Sequence, residues 1–398
     1  MNKNYLLVAL LCAVFGTTGV YAQSFEEYKA QRQKALNSMR EEQQEFSRKA
    51  REDYERYERQ AKKEYQDYLN SIKNVWGTRN LKENTKKDWV EYSKDYSSRS
   101  VVDFESGTIV VEVAVDENKD SKAAVDNKLK EAVGNLLESK GSTCPYESKV
   151  EKKEELTKKP VLDGLVDYSG YKVKKEAAKP TTKEIAKAVV EQSKPVKKEV
   201  VGDDGKKRTV VKVEMKMVSD NLSKNAALYK DIVKKNSAAF QIEQPLIFAI
   251  IEQESNFNPS ATSWVPAYGL MQLVPRSGGY DAYRYVYKKE WAPTKSYLYN
   301  TANNIELGTA YLRVLMNQFS KVTDPACRRL CVIASYNTGA GNVSRAFTGK
   351  TSVGAAVNII NTMTYDQVYR HLVNNLSTSE ARNYVDKVSK RREKYMKK

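Results

Sequence analysis

Apolar positions recur at two different periods along this chain, and the change of period divides it. Between residues 25 and 76, Leu36, Met39, Phe46, Ala50, Tyr54, Tyr57, Ala61, Tyr65, Tyr68, Ile72 and Val75 return at spacings of three, four and seven. Lys, Arg and Glu fill the positions between, and no Gly or Pro interrupts before Gly77. That spacing predicts one long helix over residues 25–76, whose apolar stripe packs as a coiled coil or against another domain.

Period two then takes over. Residues 101–115 predict strands around a Ser106-Gly107 turn, with Val111, Val113 and Val115 on the covered face of a half-buried sheet. A helix is expected over residues 121–139 and another over 181–192. Val and Lys alternate on both sides of Gly202-Asp203-Asp204-Gly205 within residues 196–218, which predicts a hairpin. The Lys-rich stretches 152–159 and 172–179 read as solvated linkers. From Leu222 the pattern is helical, with a buried helix at 245–251 and further helices at 301–320, 326–336 and 380–390. The expected organisation is a long charged helical segment (23–100), a small α+β accessory module (101–218) and a mostly α domain (219–398).

Residues 1–22 have the form of a secretory signal peptide: Lys3, an apolar run from Leu6 to Val20, and Val20-Tyr21-Ala22 before Gln23. The run is shorter than the roughly 20 apolar residues a membrane span needs. Cys12 lies inside the apolar run behind Leu11, a poor setting for lipid attachment, so soluble export is expected and lipidation at Cys12 is the alternative. With 67 basic against 50 acidic residues the chain carries a net charge of +17, which calls for an acidic partner. Export turns that expectation away from nucleic acid and toward an anionic polymer or lipid.

Three cysteines follow the signal. Cys327 and Cys331 are four apart and share a helix face, which fits either a disulfide near the limit of reach or two buried thiols. Cys144 is distant in sequence, and with a single histidine no zinc set forms. No metal or other cofactor is expected.

Elimination narrows the chemistry. His371 is the one histidine, it stands near the C-terminus without a nucleophile motif, and it reads as a surface or cap residue. No G-x-S-x-G, H-E-x-x-H or Walker pattern occurs. Carboxylate chemistry remains, which suits glycosidic bonds. Glu254 ends the apolar run IFAIIEQES, where burial raises a carboxyl pKa and keeps a proton available for donation. A Glu at such a place is also ordinary helix-end charge. Glu252, two residues earlier, points to another face.

The motifs around Glu254 go further. Residues 254–272 read E-S-N-F-N-P-S-A-T-S, W-V-P-A-Y, then G-L-M-Q. Asn304-Ile305-x-x-Gly308-x-x-Tyr311-Leu312, Ser335-Tyr336-Asn337-x-Gly339 and Arg382-Asn383-Tyr384-Val385 follow in order. This set resembles the soluble lytic transglycosylases, relatives of goose-type lysozymes. The tract Asn358 to Thr364 and Asp366-Gln367-Val368-Tyr369 is similar to the membrane-bound lytic murein transglycosylase C subfamily, which carries an N-terminal accessory module. The resemblance is much thinner in residues 23–218. Two departures stand out: Cys12 lacks a lipobox, and Val274 stands where some relatives have Met, which alters one wall of the groove.

The resemblance implies a lysozyme-like catalytic domain at 219–398 that cuts peptidoglycan between MurNAc and GlcNAc, a carbon–oxygen lyase leaving 1,6-anhydro ends. Glu254 is then the general acid and base. Ser263, Met271, Gln272, Tyr336, Asn337 and Tyr384 fall on substrate-binding positions, and Ser255 orients the local backbone. Because the sugar's own hydroxyl attacks, no second carboxylate is required, whereas an ordinary glycosidase needs two. Glu306 is the one other acidic residue in these motifs, and its helical spacing suggests structure. The resemblance also implies a periplasmic setting with outer-membrane association, and the long helix offers a route to self-association. A hydrolytic lysozyme and a non-catalytic wall-binding scaffold are the competing readings. Release of anhydro ends separates the first, and loss of wall digestion in Glu254→Gln separates the second.

Overall fold

The structure, a computed structural model, describes residues 25–116, 120–172, 180–263 and 265–397. The expected signal peptide with Cys12, most of the 172–179 Lys run and Trp264 lie outside the described residues. Two compact units divide the chain at Glu55 and Arg56. Helix α1 runs Phe25–Trp76, as its periodicity predicts. In the first unit Leu36 and Met39 of its stripe are exposed.

In the second unit, the last turns of α1 are buried. Tyr68, Leu69, Ile72 and Trp76 form a core with Ala114, Val200 and Val210 of an antiparallel sheet. Its strands are β1 (Asp88–Tyr92), β2 (Ser98–Asp103), β3 (Thr108–Val115), β4 (Val166–Asp167), β5 (Val196–Val201) and β6 (Lys207–Met217). Their order is β1-β2-β3-β6-β4, with β5 pairing β6 beside β4. Alternation explains the two layers. Ile109, Val111, Val113 and Val115 point to the face covered by helices α2 (Lys122–Glu138) and α3 (Thr182–Gln192), while Ala114 and Val210 point to α1. The central strands are thus covered on both faces, not half-buried as expected. Ser121 and Thr181 cap α2 and α3 through their hydroxyls.

Strand β1 falls inside the 23–100 stretch read as helical, which is a correction. Its sequence DWVEY buries the adjacent Trp89 and Val90 and so shows no period of two, and pairing with β2 forms it. The hairpin around Gly202-Asp203-Asp204-Gly205 forms where its alternation places it.

The remaining described elements are helical: α4 (Asn221–Leu228), α5 (Lys230–Phe240), α6 (Gln244–Ser255), α7 (Tyr280–Tyr287), α8 (Lys295–Tyr299), α9 (Thr301–Gln318), α10 (Pro325–Thr338), α11 (Ala340–Thr348), α12 (Val353–Ile360), α13 (Tyr365–Asn375) and α14 (Ser379–Met396). Helix α6 is the axis. Pro245 opens it, and Leu246, Ile247, Ala249, Ile250 and Ile251 are buried among α9, α10 and α14. Burying each large aliphatic side chain contributes about 1.5–3 kcal/mol, so this run fixes α6 firmly. Asn256, in the left-handed conformation at φ 50°, ends it. Cys327 and Cys331 are buried free thiols on α10, and Cys144 is a third in the sheet module. His371 lies inside α13, half-buried, stacked on Phe347 and bonded to the Ala346 carbonyl at 2.8 Å. It is therefore a packed residue, neither a cap nor an exposed surface group.

Candidate active site

Glu254 sits in the last turn of α6 with only 6% of its surface exposed. The Tyr384 hydroxyl of α14 donates to its Oε1 at 2.6 Å. The Lys86 ammonium, from the connection between α1 and β1, stands 3.7 Å from its Oε2. Burial raises the Glu254 carboxyl above its ordinary range; Lys86, the Tyr384 hydroxyl and Lys87 pull it back, and Glu380 adds a small push upward. Tyr384 and Tyr336 are both pushed up, first by burial and then by the Glu254 charge, so both hydroxyls stay protonated donors.

The loop after α6 is built to pass close to the acid. The Ser255 hydroxyl bonds the carbonyls of Ile251 at 3.0 Å and Leu270 at 2.9 Å, and accepts from Phe257 N–H at 3.1 Å. Gly269 has φ +75°, and a Cβ there would lie 2.5 Å from both the Leu298 carbonyl oxygen and Asn304 Nδ2. Asn304 clamps the loop: its Nδ2 donates to Tyr268 O at 2.8 Å and Leu298 O at 2.7 Å, and its Oδ1 accepts from Met271 N–H at 2.8 Å. Gly308 makes room for Met271, whose Sδ would be 2.3 Å from a Cβ at that position. The Tyr336 hydroxyl donates to Met271 O at 2.8 Å, which ties α10 to the same loop.

Gln272 occupies left-handed backbone at φ 48°. Its Nε2 donates to Ala261 O at 2.9 Å and Gly269 O at 3.0 Å, while its Oε1 is buried and has no hydrogen-bond partner. An unpartnered buried acceptor calls for an explanation.

Of the residues singled out from the sequence, Glu254, Met271, Gln272, Tyr336 and Tyr384 come together here. Ser263 and Asn337 are not bonded to this group: the Ser263 hydroxyl donates to Val265 O, and Asn337 lies half-buried near the end of α10. Glu306 accepts from the Tyr287 hydroxyl at 2.6 Å, which fits a structural residue. Lys86 and Lys87 escaped sequence reasoning. They stand among many lysines in a charged stretch, and only the fold brings them to α6.

Comparison with known proteins follows the same two halves. The family described as Transglycosylase SLT domain matches residues 231–359, and that described as Membrane-bound lytic murein transglycosylase C, N-terminal domain matches residues 54–227. The membrane-bound lytic murein transglycosylase C of Haemophilus ducreyi is 35% identical over 332 residues, covering 82% of this chain and 84% of that protein. This chain belongs to the membrane-bound lytic murein transglycosylase C family. The Mannheimia succiniciproducens member is 33% identical over 329 residues, covering 82% of this chain and 86% of its own. Solved structures of soluble lytic transglycosylases also match. The 70-kDa enzyme of Escherichia coli does so with TM-score 0.34 at 26% identity, over 44% of this chain and 26% of that one. The Pseudomonas aeruginosa enzyme Slt does so with TM-score 0.33 at 25% identity, over 42% and 24%. The chain spans about a quarter of the length of those two structures. As a lytic murein transglycosylase, the chain acts on peptidoglycan.

Proposed function

We propose that Glu254 alone makes the lytic cut, as acid and then as base, on the β-1,4 bond between MurNAc and GlcNAc. The protonated carboxyl gives its proton to the glycosidic oxygen as the bond to C1 breaks, and GlcNAc leaves with a free hydroxyl. The carboxylate then takes the proton of the C6 hydroxyl on the same MurNAc, whose oxygen closes onto C1. The 1,6-anhydro end forms, Glu254 recovers its proton and no water is consumed.

The observation that carries this reading is the buried Glu254 carboxyl, raised by burial and held at Oε1 by the Tyr384 hydroxyl. Gln272, with a buried Oε1 that has no partner, suits a sugar hydroxyl or N-acetyl N–H, and Met271, fully buried, anchors the loop that carries Gln272. Ser263 and Asn337 belong to this proposal as outlying substrate contacts.

We further propose that the chain acts in the periplasm after removal of residues 1–22, in association with the outer membrane. The leader pattern and the relatives' name, membrane-bound, support this. The exposed Leu36 and Met39 support self-association through α1. Light scattering of the mature chain should then give a mass above that of one copy. Digestion of isolated peptidoglycan tests the central reading: Glu254→Gln should lose at least about 100-fold in release rate, the contribution of one general acid, while still sedimenting with the wall. Release at the parent rate would end it.

A further inference from the structure

We propose that Lys86 is a positioning residue for the lytic cut, its ammonium holding the Glu254 carboxylate that remains once the first proton has been given away. The inference rests on Glu254 being the acid and base.

Three observations converge on it. Tyr384 occupies Oε1 of Glu254, so Oε2 is the oxygen left for proton transfer, and the Lys86 Nζ stands 3.7 Å from it. The backbone that carries Lys86 is fixed to the end of α6 on both sides. Asn258 Nδ2 donates to Thr85 O at 3.3 Å and Lys86 O at 3.5 Å, and Thr262 N–H donates to Thr85 O at 3.2 Å. The neighbouring Lys87 ammonium is bonded to Glu252 O at 3.3 Å, Gln253 O at 3.2 Å and Asn256 Oδ1 at 2.9 Å. That ammonium is engaged at the helix end, whereas the Lys86 side chain is 39% exposed and reaches the acid from the solvent side.

The charged and titratable groups facing Glu254 are Lys86 and Lys87 from the α1–β1 connection, Tyr336 from α10, and Glu380 and Tyr384 from α14. Among these described residues Lys86 is the cation within salt-bridge distance. A single carboxyl that serves first as acid and then as base must be stable in both forms. Burial in α6 favours the protonated form, and a cation at Oε2 favours the other. The long Lys stem lets the charge stay at Oε2 while the glycosidic oxygen and then the C6 hydroxyl approach.

The test is the pH profile of kcat/KM for release from peptidoglycan by the full mature chain. Bond breaking needs protonated Glu254, so the rate falls as pH rises through its pKa. Removing the cation raises that pKa. Lys86→Met should therefore move the alkaline limb upward by about one pH unit or more, with kcat about tenfold lower, and Lys86→Arg should bring the limb back. A merely structural Lys86 would lower the rate at every pH and leave the limb in place; that outcome overturns the proposal. Infrared titration of the Glu254 carboxyl in Lys86→Gln gives a second reading if the Met variant folds poorly, and an unmoved carboxyl there also overturns it. Glu254→Gln run alongside separates the two ideas. If that variant is inactive while the limb of Lys86→Met stays put, the Lys86 inference falls alone. If Glu254→Gln is active, both fall.

Discussion

Glu252 and Glu254 stand two residues apart on α6, and their neighbours push them in opposite directions. Burial alone would raise Glu252, but the Tyr395 hydroxyl and the charges of Lys394 and Arg391 outweigh it and hold that carboxyl below its usual range. At Glu254 burial outweighs the pull of Lys86, the Tyr384 hydroxyl and Lys87, and the carboxyl is raised. The folded chain therefore keeps the Glu254 proton at pH values where the unfolded chain has lost it. That contribution to stability is complete below the ordinary carboxyl range and is lost as pH rises through the raised value. Gln at 254 escapes the loss. Thermal unfolding of Glu254→Gln against the parent should show a gap that widens as pH rises from the ordinary carboxyl range through the raised Glu254 value. A constant gap would mean that the carboxyl is not raised. Tyr384→Phe removes the hydroxyl that donates to Oε1. A hydrogen bond to a charged group contributes about 1.5–3 kcal/mol, so kcat should fall 10- to 100-fold, with a smaller change in KM. Initial rates on soluble glycan fragments would check it. At this scale the sequence points to Glu254 through the motifs around it, since an apolar run ending in Glu is also what ordinary helix-end charge looks like. It was silent about Lys86, since a lysine beside a helix end looks like any solvated lysine until the fold is known.

At the scale of elements, the site depends on how α6 ends and how the 268–272 loop returns to it. Lys87, buried enough that its ammonium is lowered to about 8, caps the C-terminal carbonyls of α6 from the α1–β1 connection. A cation at a helix C-terminus is worth about 1 kcal/mol, so Lys87→Met should lower stability by that order in urea unfolding. The loop is less forgiving. Gly269→Ala would force a Cβ against the Leu298 carbonyl in left-handed backbone. A loss of about 1–3 kcal/mol is expected, together with a fall in kcat as Met271 and Gln272 shift; unchanged stability and rate would contradict the packing described. Long elements are legible in the sequence: α1, the β5–β6 hairpin and α9 follow from spacing, and α6 from its continuous apolar run. Strands β1 and β4 and helices α7, α8 and α11 to α13 are not legible in the sequence, because they are short or their apolar faces are completed only by neighbouring elements. The central sheet is covered on both faces because α1 returns to it, a long-range contact that alternation within a strand does not reveal.

At the scale of the whole molecule, the net charge of +17 suits a chain that works on an anionic wall polymer. Binding of the inactive Glu254→Gln protein to isolated peptidoglycan should weaken as salt rises, because exposed charges are screened beyond about 10 Å at 0.1 M ionic strength. The second unit joins the sheet module to the helical region at the acid itself, through Lys86 and Lys87. The proposed mechanism, with one carboxyl and no water nucleophile, is what sets this chemistry apart from that of a hydrolytic lysozyme. Mass spectrometry of muropeptides released in heavy-oxygen water reads that difference directly. The expected products end in 1,6-anhydro-MurNAc, one water lighter than reducing ends and free of the heavy isotope. Products that all carry a labelled reducing-end hydroxyl would contradict the mechanism.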